Sequence, residues 1–294
     1  TSSDELFIFF VENLLMKKFI IPLLTVLLVV LLGSCSSRIN TTEKLVDAMI
    51  KRYSGKWFKQ ISFDQTTTFY QNGKATRTES WQEVYKFPSM LLISYDQGQS
   101  GSGQLYRNDS LYVFENYQIV DTQKIIHDLL VLSMDIYNLN TENAIARIGE
   151  LGYDKNKFYT RMYNNRKVYV VGAQNEKDSS DQFWIDAEHL YFVKMIKKRD
   201  YGVQEAEMRN YIEIENNGWI EQEVVFKING EVYLIEKYYN IRIPENESDD
   251  NMFSPSVISS RDVLQRVIRS IDLPDINIID LNRQVYITIV EKLF

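Results

Sequence analysis

Cysteine and histidine are nearly missing from the chain: one Cys, Cys35, and two His, His127 and His189, in 294 residues. A single cysteine excludes an intrachain disulfide, a Cys-rich zinc site and a thiol relay. Two histidines leave most His-dependent chemistry with few places to sit. Positive charge is also in deficit. Lys plus Arg number 33 against 40 Asp plus Glu, a formal charge of −7, so no global field draws nucleic acid or anionic headgroups. Long apolar runs are missing too, apart from Phe19 to Leu32, which is too short for a comfortable membrane span. What the chain does have is a 45% hydrophobic content, enough for a sizeable core, and 19 Tyr with 15 Phe, a composition that favours strands. Its length suits two average domains or one large all-β domain.

The apolar run belongs to a targeting signal. Met16-Lys17-Lys18 is a positive opening, Phe19 to Leu32 the apolar stretch, and Leu32-Gly33-Ser34-Cys35 a small-residue end before the lone cysteine. That ending resembles a bacterial lipobox, which implies a lipoprotein signal peptide over 16–34 and lipidation at Cys35. Residues 1–15 carry Asp4, Glu5 and Glu12, do not fit a signal, and read as an upstream extension. Residues 35–40 read as a tether. Ser36 after Cys35, by resemblance to lipoprotein sorting rules, implies the outer membrane, facing the periplasm.

The rest reads as one β-rich domain over 41–255. A helix from Asn40 to Tyr53 places Leu45, Val46, Met49, Ile50 and Tyr53 on one face, with Asn40 as cap and Gly55 as stop. Strands follow over 57–70, 74–87, 90–95, 104–107 and 111–114, with Asn72-Gly73 as a hairpin turn. The apolar positions Ile125, Ile126, Leu129, Leu130 and Met134 then break the strand period. Thr141 to Leu151 is a second helix. Strands resume over 157–163, 166–173, 181–186, 190–198, 203–215, 219–228 and 231–241, with Asn-rich turns between them. The expected fold is mainly β with helices (α+β): about eleven strands in an antiparallel curved sheet, a half-open barrel whose concave face is covered by helices.

This order of elements, with Tyr85-Lys86-Phe87-Pro88 ending a long hairpin, Phe183-Trp184-Ile185-Asp186 and Leu190-Tyr191-Phe192-Val193, resembles the LolA/LolB superfamily of outer-membrane lipoprotein-sorting proteins. The resemblance spans about residues 41–255 and contains no catalytic signature. It implies a half-barrel with a helical lid and an apolar cavity for acyl chains, hence a monomeric, cofactor-free, non-enzymatic protein whose partners are lipid or lipoprotein acyl chains. The periplasmic carrier of that family has Arg immediately before the Pro, where this chain has Phe87; that Arg helps lock the carrier's lid, so a different lid mechanism is implied.

Other chemistry finds little support. His127-Asp128 are adjacent and would point to different sides of a helix. Asp186, Glu188 and His189 fall in a hairpin turn, and no metal site is expected. Gly98, Gly101 and Gly103 lack the Gly-Lys-Ser/Thr of a phosphate loop. Glu245 to Asp250 reads as a solvated acidic loop. Strand parity gives Ile61, Phe63, Trp81, Tyr85, Tyr112, Phe114 and Ile185 as the concave, cavity-lining face, and Leu129, Leu130 and Met134 as the lid. No cluster of charged groups is expected in that cavity. Two functions stay open: a lipid or acyl-chain binder, or an envelope scaffold lipoprotein using the same sheet with a filled core. Residues 256–294 form a C-terminal extension in which Ser259 to Ile271 reads as a helix and Gln284 to Val290 as a strand, outside a domain expected to close by Pro255.

Overall fold

The computed structural model describes residues 38–214, 216, 218–244 and 248–258. The signal peptide, Cys35 and the expected helix and strand after Ser259 lie outside the described residues. The chain divides into two units, Thr1–Ile39 and Asn40–Phe294, and all elements below belong to the second.

Helix α1 (Thr42–Tyr53) buries Leu45, Val46, Met49 and Tyr53. Its cap is Thr41, one residue later than expected: the Thr41 hydroxyl accepts the Lys44 backbone N–H at 3.3 Å, while Asn40 takes the Lys44 side chain instead. Six strands follow: β1 (Gln60–Gln71), β2 (Lys74–Lys86), β3 (Met90–Tyr95), β4 (Gly103–Arg107), β5 (Ser110–Glu115) and β6 (Gln118–Lys124). A lid segment spans 125–138, with a wide π-type turn at Leu130–Met134 and a 3-10 turn at Asp135–Asn138. Helix α2 (Thr141–Glu150) is capped by Asn140. The second meander is β7 (Phe158–Tyr163), β8 (Arg166–Val171), β9 (Gln182–Asp186), β10 (Phe192–Arg199), β11 (Gly202–Arg209), β12 (Ile212–Ile214), β13 (Gly218–Ile220), β14 (Glu223–Ile228) and β15 (Glu231–Arg242).

Thirteen strands form one sheet in the order β6-β5-β4-β3-β2-β1-β15-β14-β11-β10-β9-β8-β7, and β12 pairs with β13 separately. All pairs are antiparallel, and the two meanders join where β1 lies along β15. Among the described residues β6 and β7 are the edge strands and do not pair with each other. The strand count exceeds eleven for two reasons. First, β6 was not expected: its polar, mostly exposed sequence lacks an inward apolar rhythm, and its turn, Asn116-Tyr117, is not a common turn pair although both residues have positive φ (47° and 64°). Second, the runs 203–215 and 219–228 each break in two. Asn210 adopts φ 55° and ends β11, and the Gln222 N–H then bonds the Arg209 and Asn210 carbonyls, so β12 and β13 leave the main ladder as a hairpin. The expected Asn72-Gly73, Asn164-Asn165 and Asn229-Gly230 turns all have positive φ at both positions, the primed geometry that matches strand twist.

Both faces of the first meander are covered. On one face, Val84, Met90, Leu92, Leu105 and Phe114 pack with Met252, Phe253 and Ile258 from the C-terminal stretch. That stretch holds a 3-10 turn (Asp250–Phe253) and one helical turn (Pro255–Ile258). Arg107 fastens it by donating to the Asp250 and Phe253 carbonyls at 3.0 and 2.8 Å. Gly103 is required beneath it, because a Cβ there would sit 2.0 Å from the Ile93 carbonyl and 2.7 Å from the Phe114 ring. Packing against the sheet thus continues to Ile258, which is fully buried. The opposite face carries α1 and the lid.

Candidate functional site: a lidded cavity on the concave face

Strand register defines the concave face. Trp81, Glu83 and Tyr85 of β2 lie opposite Tyr95, Ile93 and Leu91 of β3, and opposite Gln65, Phe63 and Ile61 of β1. On the other meander Met195 and Lys197 of β10 oppose Ala206 and Gln204 of β11. One end of this face is solid. Trp57 stacks on Tyr137 at 3.6 Å between ring centres, Phe58 meets Tyr85 edge-on, and α1 closes over them. The other end is not filled. A cavity of about 360 Å³ opens there, within the range of small-molecule sites. Its walls come from β1–β4 on one side and β10, β11, β14 and β15 on the other, so the sheet curls around it, and the roof is 125–134.

The sequence-derived residues divide three ways. Trp81, Leu129, Leu130 and Met134 line the cavity. Ile61, Phe63, Tyr85 and Ile185 share the concave face but are sealed in the packed region, each no more than 1% exposed, and do not reach the cavity. Tyr112 and Phe114 were expected on the concave face and lie on the other one. Tyr112 pairs with Leu105 and Leu105 with Leu92, which sets both β5 aromatics in the cluster under Phe253. Alternation separates the two faces of a strand but does not say which is concave, and here both are apolar.

The lid is held by two carboxylates. Asp128 accepts from Lys197 at 2.6 Å, Arg199 at 3.0 Å and the Tyr153 hydroxyl at 3.1 Å. Asp135 accepts from the Tyr85 hydroxyl at 2.8 Å and from the Ser89 backbone N–H at 3.0 Å, and also from the Ser89 hydroxyl. These bonds tie the two ends of the π-type turn to β10 and to the β2–β3 turn, which contains the cis Phe87–Pro88 peptide. Ser133 also donates back to the Leu129 carbonyl at 2.7 Å within the turn. His127 is not paired with Asp128 as a base. Its Nδ1 accepts the Leu130 N–H at 3.1 Å, and burial pulls its pKa down to about 4, so the ring is neutral. Asp186 is spent on its turn, accepting the Glu188 and His189 N–H groups at 2.9 and 2.7 Å.

Contrary to the expectation of no charged cluster there, five acidic side chains line the cavity, and besides Asp128 and Glu150 these are Glu83, Glu221 and Glu236. They are 6%, 6% and 9% exposed. Burial, together with repulsion from Glu236 and then Glu221, raises Glu83 well above the ordinary carboxyl range. Burial raises Glu221 to about 7. Burial, outweighing hydrogen bonds from Tyr238 and Gln65, raises Glu236 to about 7 as well. Each of the three therefore holds its proton to higher pH than an ordinary carboxyl. A signal for two of them was present in the sequence. Glu83 stands between Trp81 and Tyr85, and Glu236 between Leu234 and Tyr238, at inward positions of apolar rhythms. Among the described residues no group of three or more His, Cys, Asp or Glu is arranged to hold a metal ion.

The sequence matches no protein-family model and no curated protein. Among solved structures, it is similar to a DUF1329 family protein from Desulfovibrio piger (13% identity, TM-score 0.49, covering 74% of this chain and 99% of that one). It is similar to a LolA superfamily protein from Nitrosomonas europaea (11%, TM-score 0.45, 71% and 97%). A third is a Vibrio parahaemolyticus domain described as an outer membrane lipoprotein-sorting protein (12%, TM-score 0.48, 74% and 97%). Identities this low transfer no ligand and no residue role.

Proposed function

We propose that the chain is a non-enzymatic, monomeric cell-envelope lipoprotein, anchored in the outer membrane through Cys35 and facing the periplasm, that holds lipid or lipoprotein acyl chains between sheet and lid. The observation that carries this reading is the unfilled cavity of about 360 Å³ beneath Leu129, Leu130 and Met134 on the concave face of the sheet. Phe69, Trp81, Leu91, Ile93, Met195 and Phe226 give that space apolar walls. Each methylene moved from water into it gains about 0.8 kcal/mol. Several together would hold a chain out of water without any covalent step. Release needs the lid to lift, which breaks the Asp128 and Asp135 contacts at its two ends and uncovers the buried Leu130, Val131, Leu132 and Met134. Among the described residues, no helix is long and apolar enough to cross a membrane, so attachment on this reading rests on the lipid anchor.

The decisive experiment is organic extraction of the purified full chain with mass spectrometry of the extract, paired with titration of a fluorescent fatty acid. Co-purified lipid, or saturable binding near one probe per chain, supports the reading. A folded protein that carries no lipid and binds no apolar probe overturns it in favour of a scaffold. For the anchor, Cys35→Ser is expected to release the protein from the membrane fraction; unchanged attachment and mass would exclude lipidation there.

A further inference from the structure

Accepting the cavity as a binding site, the nature of its polar end still has to be explained. A site for hydrocarbon alone needs no charge, yet five carboxyl groups and three cations line this one. The cations are largely committed. Lys197 and Arg199 both hold Asp128. Glu83, by contrast, has no hydrogen bond or ion pair among the described residues, although it is 6% exposed and faces the cavity. Burying a polar group without a partner is costly. Glu236 accepts from the Tyr238 hydroxyl at 2.9 Å, but Glu83 has no such donor among the described residues, so its presence points to something that pairs with it.

The surroundings specify that partner's charge. Glu83 lies on β2 and Glu236 on β15, with Glu221 just before β14, so carboxyls from three segments line the same cavity. Trp81 and Tyr95 sit beside Glu83 on the same face, their rings 4.8 Å apart. Aromatic faces beside carboxylates are the environment that receives an organic cation, through ring attraction and charge-assisted hydrogen bonds together. An anionic phosphate would bring negative charge against five carboxyl groups, which outnumber the three cations Lys124, Lys197 and Arg199, and Lys197 and Arg199 are already clamped on Asp128.

We propose that the cavity's ligand is an amphiphile with a primary ammonium head, which seats between Glu83, Glu221 and Glu236 while its hydrocarbon tail runs under Leu129, Leu130 and Met134. The carboxyls give up their protons to solvent as the ammonium enters, and the head donates hydrogen bonds to them. The proposal rests on the binding reading above and adds the head group to it.

The test is competition on the delipidated full chain at pH 7.5. The neutral fluorophore 1-N-phenylnaphthylamine is displaced by dodecylamine, dodecanol or dodecanoate, each kept below its micellar concentration. Dodecylamine is expected to bind roughly ten-fold or more tighter than dodecanol, and dodecanoate more weakly than either. In Glu83→Gln and in Glu83→Gln/Glu236→Gln the amine preference should fall to within about three-fold of dodecanol, with dodecanol affinity and melting temperature not lowered. Equal displacement by all three compounds in the wild type overturns the ammonium assignment but leaves an apolar site standing. So does an amine preference that survives the glutamine substitutions, because it would reflect the overall acidic charge. If the fluorophore does not bind and no compound protects the protein, the cavity reading fails and the assignment with it.

Discussion

Asp128 shows how one side chain can decide whether the lid is closed. It and Lys197 are each 8% exposed, and Arg199 completes a two-cation grip on its carboxylate. Breaking a buried pair by removing one charge costs far more than the pair contributes over an apolar substitute, roughly 3–5 kcal/mol. Asp128→Asn is therefore expected to lower unfolding stability by about 3 kcal/mol in urea and to raise hydrogen exchange over 128–134 more than in β1 or β2. Unchanged protection of that segment would show that the turn is held by packing alone. A second contrast separates cavity wall from solid core. Leu130 borders open space, whereas Phe114 is enclosed by Val84, Leu105, Phe253 and Ile258. Leu130→Glu is expected to leave a folded protein that no longer binds an apolar probe; Phe114→Glu is expected not to fold, because its charge has no water to reach. Circular dichroism with probe titration checks both, and the reverse outcome would exchange their assignments.

At the scale of elements, the C-terminal stretch is part of the packing. Met252, Phe253 and Ile258 cover the face of β2–β5 that the lid does not. Phe253→Ala should cost roughly 3–5 kcal/mol, and ending the chain after Pro255 should lower the melting temperature through loss of Ile258. A truncated protein as stable as the full chain would mean that Ile258 contributes nothing. The sequence announced β1, β2, β3 and the later hairpins because alternation and Asn-Gly turns are local properties. It gave no notice of β6, an edge strand whose polar side chains need no inward rhythm, nor of the break at Asn210, which depends on where the ladder can continue. Trp81 and the lid leucines were legible from period and apolarity. Tyr112 and Phe114 were misplaced because only three-dimensional curvature tells one apolar face from the other. The acidic trio went unread because Glu83 lies more than half the domain away in sequence from Glu221 and Glu236, and they come to one cavity only when β1 pairs with β15.

Across the whole molecule, that convergence should make stability depend on pH in an unusual direction. Glu221 has its pKa raised from an ordinary 4.5 to about 7, Glu236 likewise, and Glu83 is also raised. A carboxyl raised on folding binds more protons in the native state than in the unfolded chain between the two values, so its contribution is fully present below about pH 4.5 and is lost as pH rises through about 7. For Glu221 alone a shift of that size amounts to on the order of 3 kcal/mol. His127 works against it. Its pKa is lowered from 6.5 to about 4, so it contributes above pH 6.5 and loses that contribution as pH falls toward 4. Glu207, lowered to about 2 by its hydrogen bonds from Arg209 and Tyr163 and by nearby positive charge, contributes above 4.5 and matters only in stronger acid. Between pH 5 and 8, the glutamates and the histidine therefore pull stability in opposite directions, with the glutamates in the majority. The expected result in urea denaturation of the ligand-free protein is a stability that fails to rise, or falls, from pH 5 to 8. In Glu83→Gln/Glu221→Gln only Glu236 is left to supply the falling component, so variant minus wild type should grow steadily across that interval. A difference independent of pH would mean that the three carboxyls are solvated or already paired, and that the cavity's polar end is an ordinary wet surface.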